Sequence, residues 1–181
     1  MTTGWEHHTL NICDALRKAD KYGDDDDHHH HHFRDMMNES VSILQGIGPF
    51  ATRVLHTLGL DTVEQLGEYK FFRLARALHT LAETEVVGGR SKRSVMNVDK
   101  ALTKTWESKS FTEIVEAPTD ALEGISREAC DLLETLGCKT IADLANFKYC
   151  RWAEAICVAA KYENTLTAKE RKVEAALKKL G

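Results

Sequence analysis

Leu44–Glu83 reads LQGIGPFATRVLHTLGLDTVEQLGEYKFFRLARALHTLAE, and Leu122–Lys161 reads LEGISREACDLLETLGCKTIADLANFKYCRWAEAICVAAK. A shift of 78 positions lays one on the other without a gap, with 15 of 40 positions identical. Repetition at a fixed period decides architecture before any single motif does, because each copy is one supersecondary unit. It also supplies an internal control. A residue type kept in both copies is explained by the shared fold, and one found in a single copy is not.

The repeat extends outward. Phe33-Arg-Asp-Met-Met matches Phe111-Thr-Glu-Ile-Val at the same offset, and Val98-Asp-Lys-Ala-Leu resembles Val173-Glu-Ala-Ala-Leu. Asp14-Ala-Leu-Arg-Lys suggests a third copy of that last element. The chain therefore divides into an N-terminal helix with an Asp/His-rich linker (1–32), a first unit (33–83), a basic connector helix (84–110), a second unit (111–161) and a C-terminal helix (162–181). Units of about 50 residues bury little surface alone, so packing against each other or a partner is expected.

Local signals make the units helical. In the second copy Ser110-Phe-Thr-Glu113 and Thr140-Ile-Ala-Asp143 are capping boxes, Ser126 caps the helix that Gly137 stops, and Phe147–Tyr162 is the longest helix. The first copy repeats this with Gly48 at the cap, Pro49 at the first helical position, Thr62-Val-Glu-Gln65 as capping box and Gly59 as the stop. Val54, Leu55, Leu58, Val63, Leu66, Phe71, Leu74, Leu78 and Leu81 fall at helical spacing and are the expected core. Thr167-Ala-Lys-Glu170 opens a last helix, and Gly88-Gly89 precedes a helix expected near Ser94–Trp106. No stretch alternates long enough for a strand, so the class is all-α.

Composition narrows the function classes. The chain has 181 residues, 43% apolar content and only two prolines. No apolar run reaches the roughly 18–20 residues that cross a bilayer, and no secretory leader follows Met1. The five cysteines, Cys13, Cys130, Cys138, Cys150 and Cys157, contain no CxxC pair. Four of them align with Thr52, Leu60, Phe72 and His79, so a zinc site would exist in one copy of a fold the other builds without it. Buried free thiols fit better, which implies a reducing compartment: the cytoplasm, or the plastid stroma after removal of a transit peptide. Net charge is −4, with residues 84–110 basic and the second unit acidic, unlike the broad positive face of a typical nucleic-acid binder.

Leu44-Gln-Gly-Ile-Gly-Pro-Phe-Ala-Thr-Arg-Val-Leu, followed by Gly59-Leu-Asp-Thr-Val-Glu-Gln-Leu, resembles the helix-hairpin-helix family, in the branch whose hairpin leads into a G-[IL]-x-T-[VI]-x-x-L-[AG] turn. The second copy keeps the frame but has Ser126 for Gly48 and Arg127 for Pro49. The resemblance implies two tandem helix-hairpin-helix-like, SAM-domain-like units, and either sequence-independent contact with nucleic-acid phosphates or protein binding. EAPTDALEGIS…KTIADLANFKYCRWAEAI is also similar to helical linker subunits of algal light-harvesting complexes.

The candidate sites follow from chemistry. Free backbone N–H groups at a helix N-terminus attract anions. In the first hairpin Gly46, Ile47 and Gly48 let a ligand approach the backbone, Phe50 and Ala51 form an acid-free first turn, and Arg53 lies one turn on. Glu128 would repel a phosphate from the second hairpin. The economical alternative is that these glycines only make the turn. Arg90, Lys92 and Arg93 cluster in the connector, where an acidic partner or nucleic acid could offset them and a solvated loop is the default. Lys70 and Arg73 match Lys148 and Arg151 among aromatics, a pattern that can hold bases but reads more simply as core rings under long basic stems. Asp24–Asp27 and His28, His29, His30, His31 and His32 read as a linker or tag whose imidazoles bind metal only adventitiously. No phosphate loop, HExxH or nucleophile elbow is present, so the chain reads as non-catalytic and without a cofactor.

The leading expectation is a helical adaptor or linker subunit that mediates protein–protein assembly in a larger complex, with a photosynthetic antenna as one setting. The alternative is nucleic-acid binding through the first hairpin and the connector. Copies that differ outside over a common inside, as at Arg53/Asp131, Arg76/Glu154 and Gly48/Ser126, suggest two docking surfaces.

Overall fold

The computed structural model describes residues 32–89 and 93–180. The described part is all-α and mostly helical, with only isolated bridges in place of strands. The first copy builds α1 (Phe33–Asn38), a 3-10 turn (Val41–Ile43), α2 (Pro49–Thr57), α3 (Val63–Gly67) and α4 (Lys70–Glu83). The second builds α5 (Phe111–Val115), a 3-10 turn (Thr119–Ala121), α6 (Arg127–Thr135), α7 (Ile141–Ala145) and α8 (Lys148–Ala160), and α9 (Ala168–Leu177) follows. The expected N-terminal helix, its third repeat at Asp14 and His28–His31 lie outside the described residues.

Several local devices recur at the same offset. Capping boxes at Thr62 and Thr140 open α3 and α7, and bridges join Ser40 to Thr62 and Pro118 to Thr140. Gly46 and Gly124, then Gly59 and Gly137, take positive φ at matching positions, a backbone that side-chain-bearing residues rarely adopt. The cap at Gly48 differs in kind. It offers no side-chain acceptor, whereas Ser126 Oγ accepts from the Ala129 N–H at 3.1 Å.

Packing then crosses between the copies. Helix α4 of the first copy lies on α5 and α7 of the second, and α8 of the second lies on α1 and α3 of the first. This reciprocal exchange is what a two-fold relation between copies produces. Helix ends are exchanged too. Glu85 Oε2 accepts from the Thr112 N–H at 2.9 Å at the start of α5, and Glu163, its equivalent, accepts from the Phe33 and Arg34 N–H groups at 2.9 and 3.3 Å at the start of α1. One hydrophobic core therefore runs through both copies, from Met36 and Leu44 to Leu144 and Ile156.

The exchange accounts for three departures from the sequence reading. Phe72 is fully buried although it lies beside the periodic stripe, because α4 is covered from two sides and its buried face is wide. Leu81, expected in the core, is 44% exposed. The buried stripe of α4 follows Phe71, Ala75, Leu78 and Ala82, and Leu81 falls on its flank. The connector holds no helix over Ser94–Trp106. It makes one 3-10 turn, Asp99–Ala101, then bridges Leu102 to Leu122. The Thr103 N–H donates to the Ala121 carbonyl and the Glu123 N–H to the Ala101 carbonyl, both at 2.9 Å. Backbone groups committed to that pairing cannot close helical turns, so tertiary pairing overrides local propensity.

The repeat also exposes a misfit. Thr119 is fully buried and its Oγ1 has no hydrogen-bond partner, while the equivalent Val41 fills the same place in the first copy at the same burial. Thr119→Val removes an unsatisfied hydroxyl at nearly constant shape, so stability should rise by about 1–2 kcal/mol. Thermal unfolding should show a Tm higher by roughly 2–8 °C, and an unchanged or lower Tm would refute the assignment.

Candidate functional site: a ring-lined groove beside the first hairpin

The start of α2 is placed by Gly48 at the cap and Pro49 at the first helical position, and no acid occupies its first turn. Gly46, Gly48, Phe50 and Arg53 are exposed there and Ala51 is half-buried. Ile47 is not available to a ligand: it is 4% exposed and belongs to the core. Arg93 is exposed on the connector, far along the chain from the hairpin, and Arg90 and Lys92 lie outside the described residues.

Gly46 has a role that the sequence reading did not assign. A Cβ at that position would lie 2.5 Å from the Oη of Tyr149, which α8 brings from the other copy. At the equivalent Gly124 a Cβ would meet the ring of Phe71 at 3.3 Å, and Phe71 is the equivalent of Tyr149. Each hairpin is thus pressed against an aromatic ring of the opposite copy. The first glycine of the hairpin serves the positive φ and this ring contact, which removes the need for an anion to explain it.

Tyr149 also leads into a neighbouring groove. An open groove of about 870 Å³ runs along α8, lined by Phe147, Lys148, Tyr149, Arg151, Trp152 and Ala155 together with residues of the α6–α7 region, among them Leu136, Cys138 and Asn146. The rings form an edge-to-face chain, with Phe147 to Tyr149 at 5.4 Å and Tyr149 to Trp152 at 5.5 Å between centroids. Lys148 Nζ lies 4.9 Å from the centre of Tyr149 and 5.6 Å from that of Trp152. Basic stems over rings were the expectation from sequence. In the second copy, though, Phe147, Tyr149 and Trp152 are only half-buried and line an open surface.

The two copies differ at this surface. In the first copy Phe71 is buried, Leu74 stands where Trp152 stands, and Arg73 is held by Glu68 at 2.5 Å. In the second copy Asn146 replaces Glu68 and cannot form that ion pair. Its amide instead donates to the Ala142 carbonyl at 3.0 Å and approaches His79 Nε2 at 3.4 Å. Among the described residues no carboxylate pairs with Arg151. The groove therefore combines an extra ring with a free guanidinium, and the shared fold requires neither.

Other candidates resolve into structure. Arg76 and Glu154, read from sequence as divergent outer surfaces, form a two-armed ion pair with each other, Nη2 to Oε1 at 2.8 Å. They occupy equivalent positions, 78 residues apart, so the pair marks the axis that relates the copies. Arg53 against Asp131 and Gly48 against Ser126 remain exposed differences. Burial pushes the Cys138 thiol up to about 12 and that of Cys157 up to about 11, and raises that of Cys150 well above the ordinary value. Cys130, Cys138, Cys150 and Cys157 are buried free thiols, and as neutral thiols those three are poor nucleophiles and poor metal ligands. At the second hairpin a backbone N–H and Ser126 hold the Glu128 carboxyl below its usual range, so a negative charge occupies that helix start. His32 does structural work, with Nδ1 3.3 Å from Glu163 Oε1. No described helix is long and apolar enough to cross a membrane.

Comparison with protein-family models, with curated proteins and with solved structures returns no match.

Proposed function

We propose that this chain is a non-catalytic helical adaptor, built from two helix-hairpin-helix-like units, that docks a protein partner in the groove of α8. The observation that carries this reading is Trp152 beside Arg151, which pairs with no carboxylate among the described residues, on an open surface where the other copy has Leu74 and an ion-paired Arg73. Aromatic and arginine side chains are the types enriched at the energetic centres of protein interfaces. The groove suits a segment carrying an apolar anchor next to a carboxylate. Val86, Val87, Val95 and Met96 add exposed apolar surface on the connector. A light-harvesting linker is one assembly of this kind.

The second reading is nucleic-acid binding, favoured by the same half-buried rings flanked by Lys148 and Arg151 and by Arg53 on the adjoining hairpin. Stacking on such rings contributes about 1–3 kcal/mol per base. One pair of measurements separates the two. The full chain should recover a stoichiometric protein from lysate of its source, and a photo-crosslinker at Ala155 in the groove should capture that protein where one at Thr57 does not. Trp152→Ala and Arg151→Glu should weaken the complex by roughly 2 kcal/mol or more each, the range of interface hot spots. Titration with single- and double-stranded DNA and RNA at about 50 mM salt should show no shift, since phosphate contacts are strongest at low salt. An oligonucleotide shift that collapses as salt rises would replace the adaptor with the second reading. A complex unaffected by both substitutions would remove the groove from either.

A further inference from the structure

We propose that the occupant of the α8 groove is an acidic segment of a partner protein, whose carboxylate takes on Arg151 the place that Glu68 takes on Arg73 in the first copy. This rests on the groove being the docking surface.

The repeat shows what this position is shaped to hold. Arg73 and Arg151 are equivalent, and so are Glu68 and Asn146. Glu68 follows α3 with φ −94° and ψ 8°, and Asn146 follows α7 with φ −99° and ψ 5°. The two corners share one backbone conformation, so a carboxylate at residue 146 would have the reach that Glu68 has. Glu68 Oε2 accepts from Arg73 Nη1 at 2.5 Å. Asn146 brings no carboxylate, and its amide is spent on the Ala142 carbonyl and His79. Arg151 is exposed and pairs with no carboxylate among the described residues, so its planar fork is open to one from outside.

Charge selects the same occupant. The charged residues lining the groove are Asp143, Lys148 and Arg151. Asp143 Oδ2 accepts from the Lys139 and Thr140 N–H groups at 3.1 and 2.9 Å, which ties that carboxylate to its own helix start. The two cations remain, with Lys148 over the rings of Tyr149 and Trp152. Such a surface favours an acidic segment and disfavours a basic one. Trp152 is the neighbour of Arg151, and Ala155 lies one turn beyond it on α8, about 6 Å along the axis. A carboxylate on Arg151 and an apolar side chain over Trp152 and Ala155 can therefore come from one short segment.

Panning a displayed library of random linear peptides against the full chain tests this, with the Trp152→Ala chain as counter-selection. Recovered peptides should carry Asp or Glu beside a large apolar residue. Fluorescence anisotropy with one such peptide should show binding about tenfold weaker in Arg151→Gln and in Asn146→Glu, which closes the guanidinium from within. Thr57→Glu adds the same charge outside the groove and should leave the affinity unchanged. Replacing the peptide's acid by its amide should cost about tenfold on the parent chain and little on Arg151→Gln, because both changes remove one contact. That comparison needs no change at Asn146, so it decides even if Asn146→Glu loses helix by circular dichroism. Trp152-dependent peptides without an acid, or equal losses on the parent chain and on Arg151→Gln, would overturn the acidic occupant and leave the groove as a docking surface. A folded Asn146→Glu that binds as tightly as the parent would do the same. Recovery of no Trp152-dependent peptide would overturn both. Oligonucleotide binding that Asn146→Glu weakens would assign Arg151 to phosphate instead.

Discussion

Cut between Gly88 and Gly89, the chain is expected to fold only when both pieces are present. Each long helix finds its partners in the other copy, α4 on α5 and α7, and α8 on α1 and α3. A lone first half would expose Phe72, Ala75 and Leu78, all now essentially buried. Burial of a large apolar side chain is worth about 1.5–3 kcal/mol, so losing a few of them consumes most of the roughly 5–15 kcal/mol that holds a domain folded. Self-pairing of one half would restore the contacts but set Arg76 against Arg76, or Glu154 against Glu154, where an opposite-charge pair now sits. Circular dichroism should therefore show each half largely unfolded or aggregated, and mixing should recover helix in a one-to-one complex. A half that is fully helical and monomeric by itself would sink the interlocked fold. It would also restore the picture of two separable units, each with its own docking surface.

Gly67→Ala should destabilise the protein even though local rules favour alanine. Gly67 ends α3 with ordinary negative φ, and within a helix alanine is better than glycine by about 1 kcal/mol. Here a Cβ would lie 2.7 Å from the carbonyl carbon of Ala153 and 2.8 Å from both its oxygen and Cys157 Sγ. The two nearest atoms are backbone of a packed helix and cannot move aside cheaply. Overpacking of this kind costs about 1–3 kcal/mol, so the Tm should fall by roughly 2–12 °C. A rise in Tm would show that α3 and α8 are not packed this closely. At Gly67 the backbone of α8 leaves no room for a Cβ, while Ala145 stands at the matching place in the second copy and already carries one.

Much of the fold was legible because short-range signals carried it. Capping boxes at Thr62, Ser110, Thr140 and Thr167 each set a helix start, and glycines at positions 59 and 137 set stops, since these depend only on residues a few positions away. For Thr62 and Thr140, and for glycines 59 and 137, the repeat supplied the same assignment twice. The candidate site was legible only in part. The basic–aromatic segment was visible, but whether its rings lay in the core or in a groove depended on what packed over α8. The ion pair of Arg76 with Glu154 was invisible for the same reason, since nothing local says that two equivalent positions meet.

By itself the sequence determined that the chain is all-α, duplicated at a fixed offset, with helix ends at named caps, because backbone hydrogen bonding and periodicity act over three or four residues. The tertiary structure decided that the copies exchange their long helices. It set Tyr149 against Gly46, left Leu81 outside, and drew the connector into a bridge with Leu122 instead of a helix. Those outcomes depend on which apolar faces meet across some 78 residues of chain, and burial rewards any pairing that covers them.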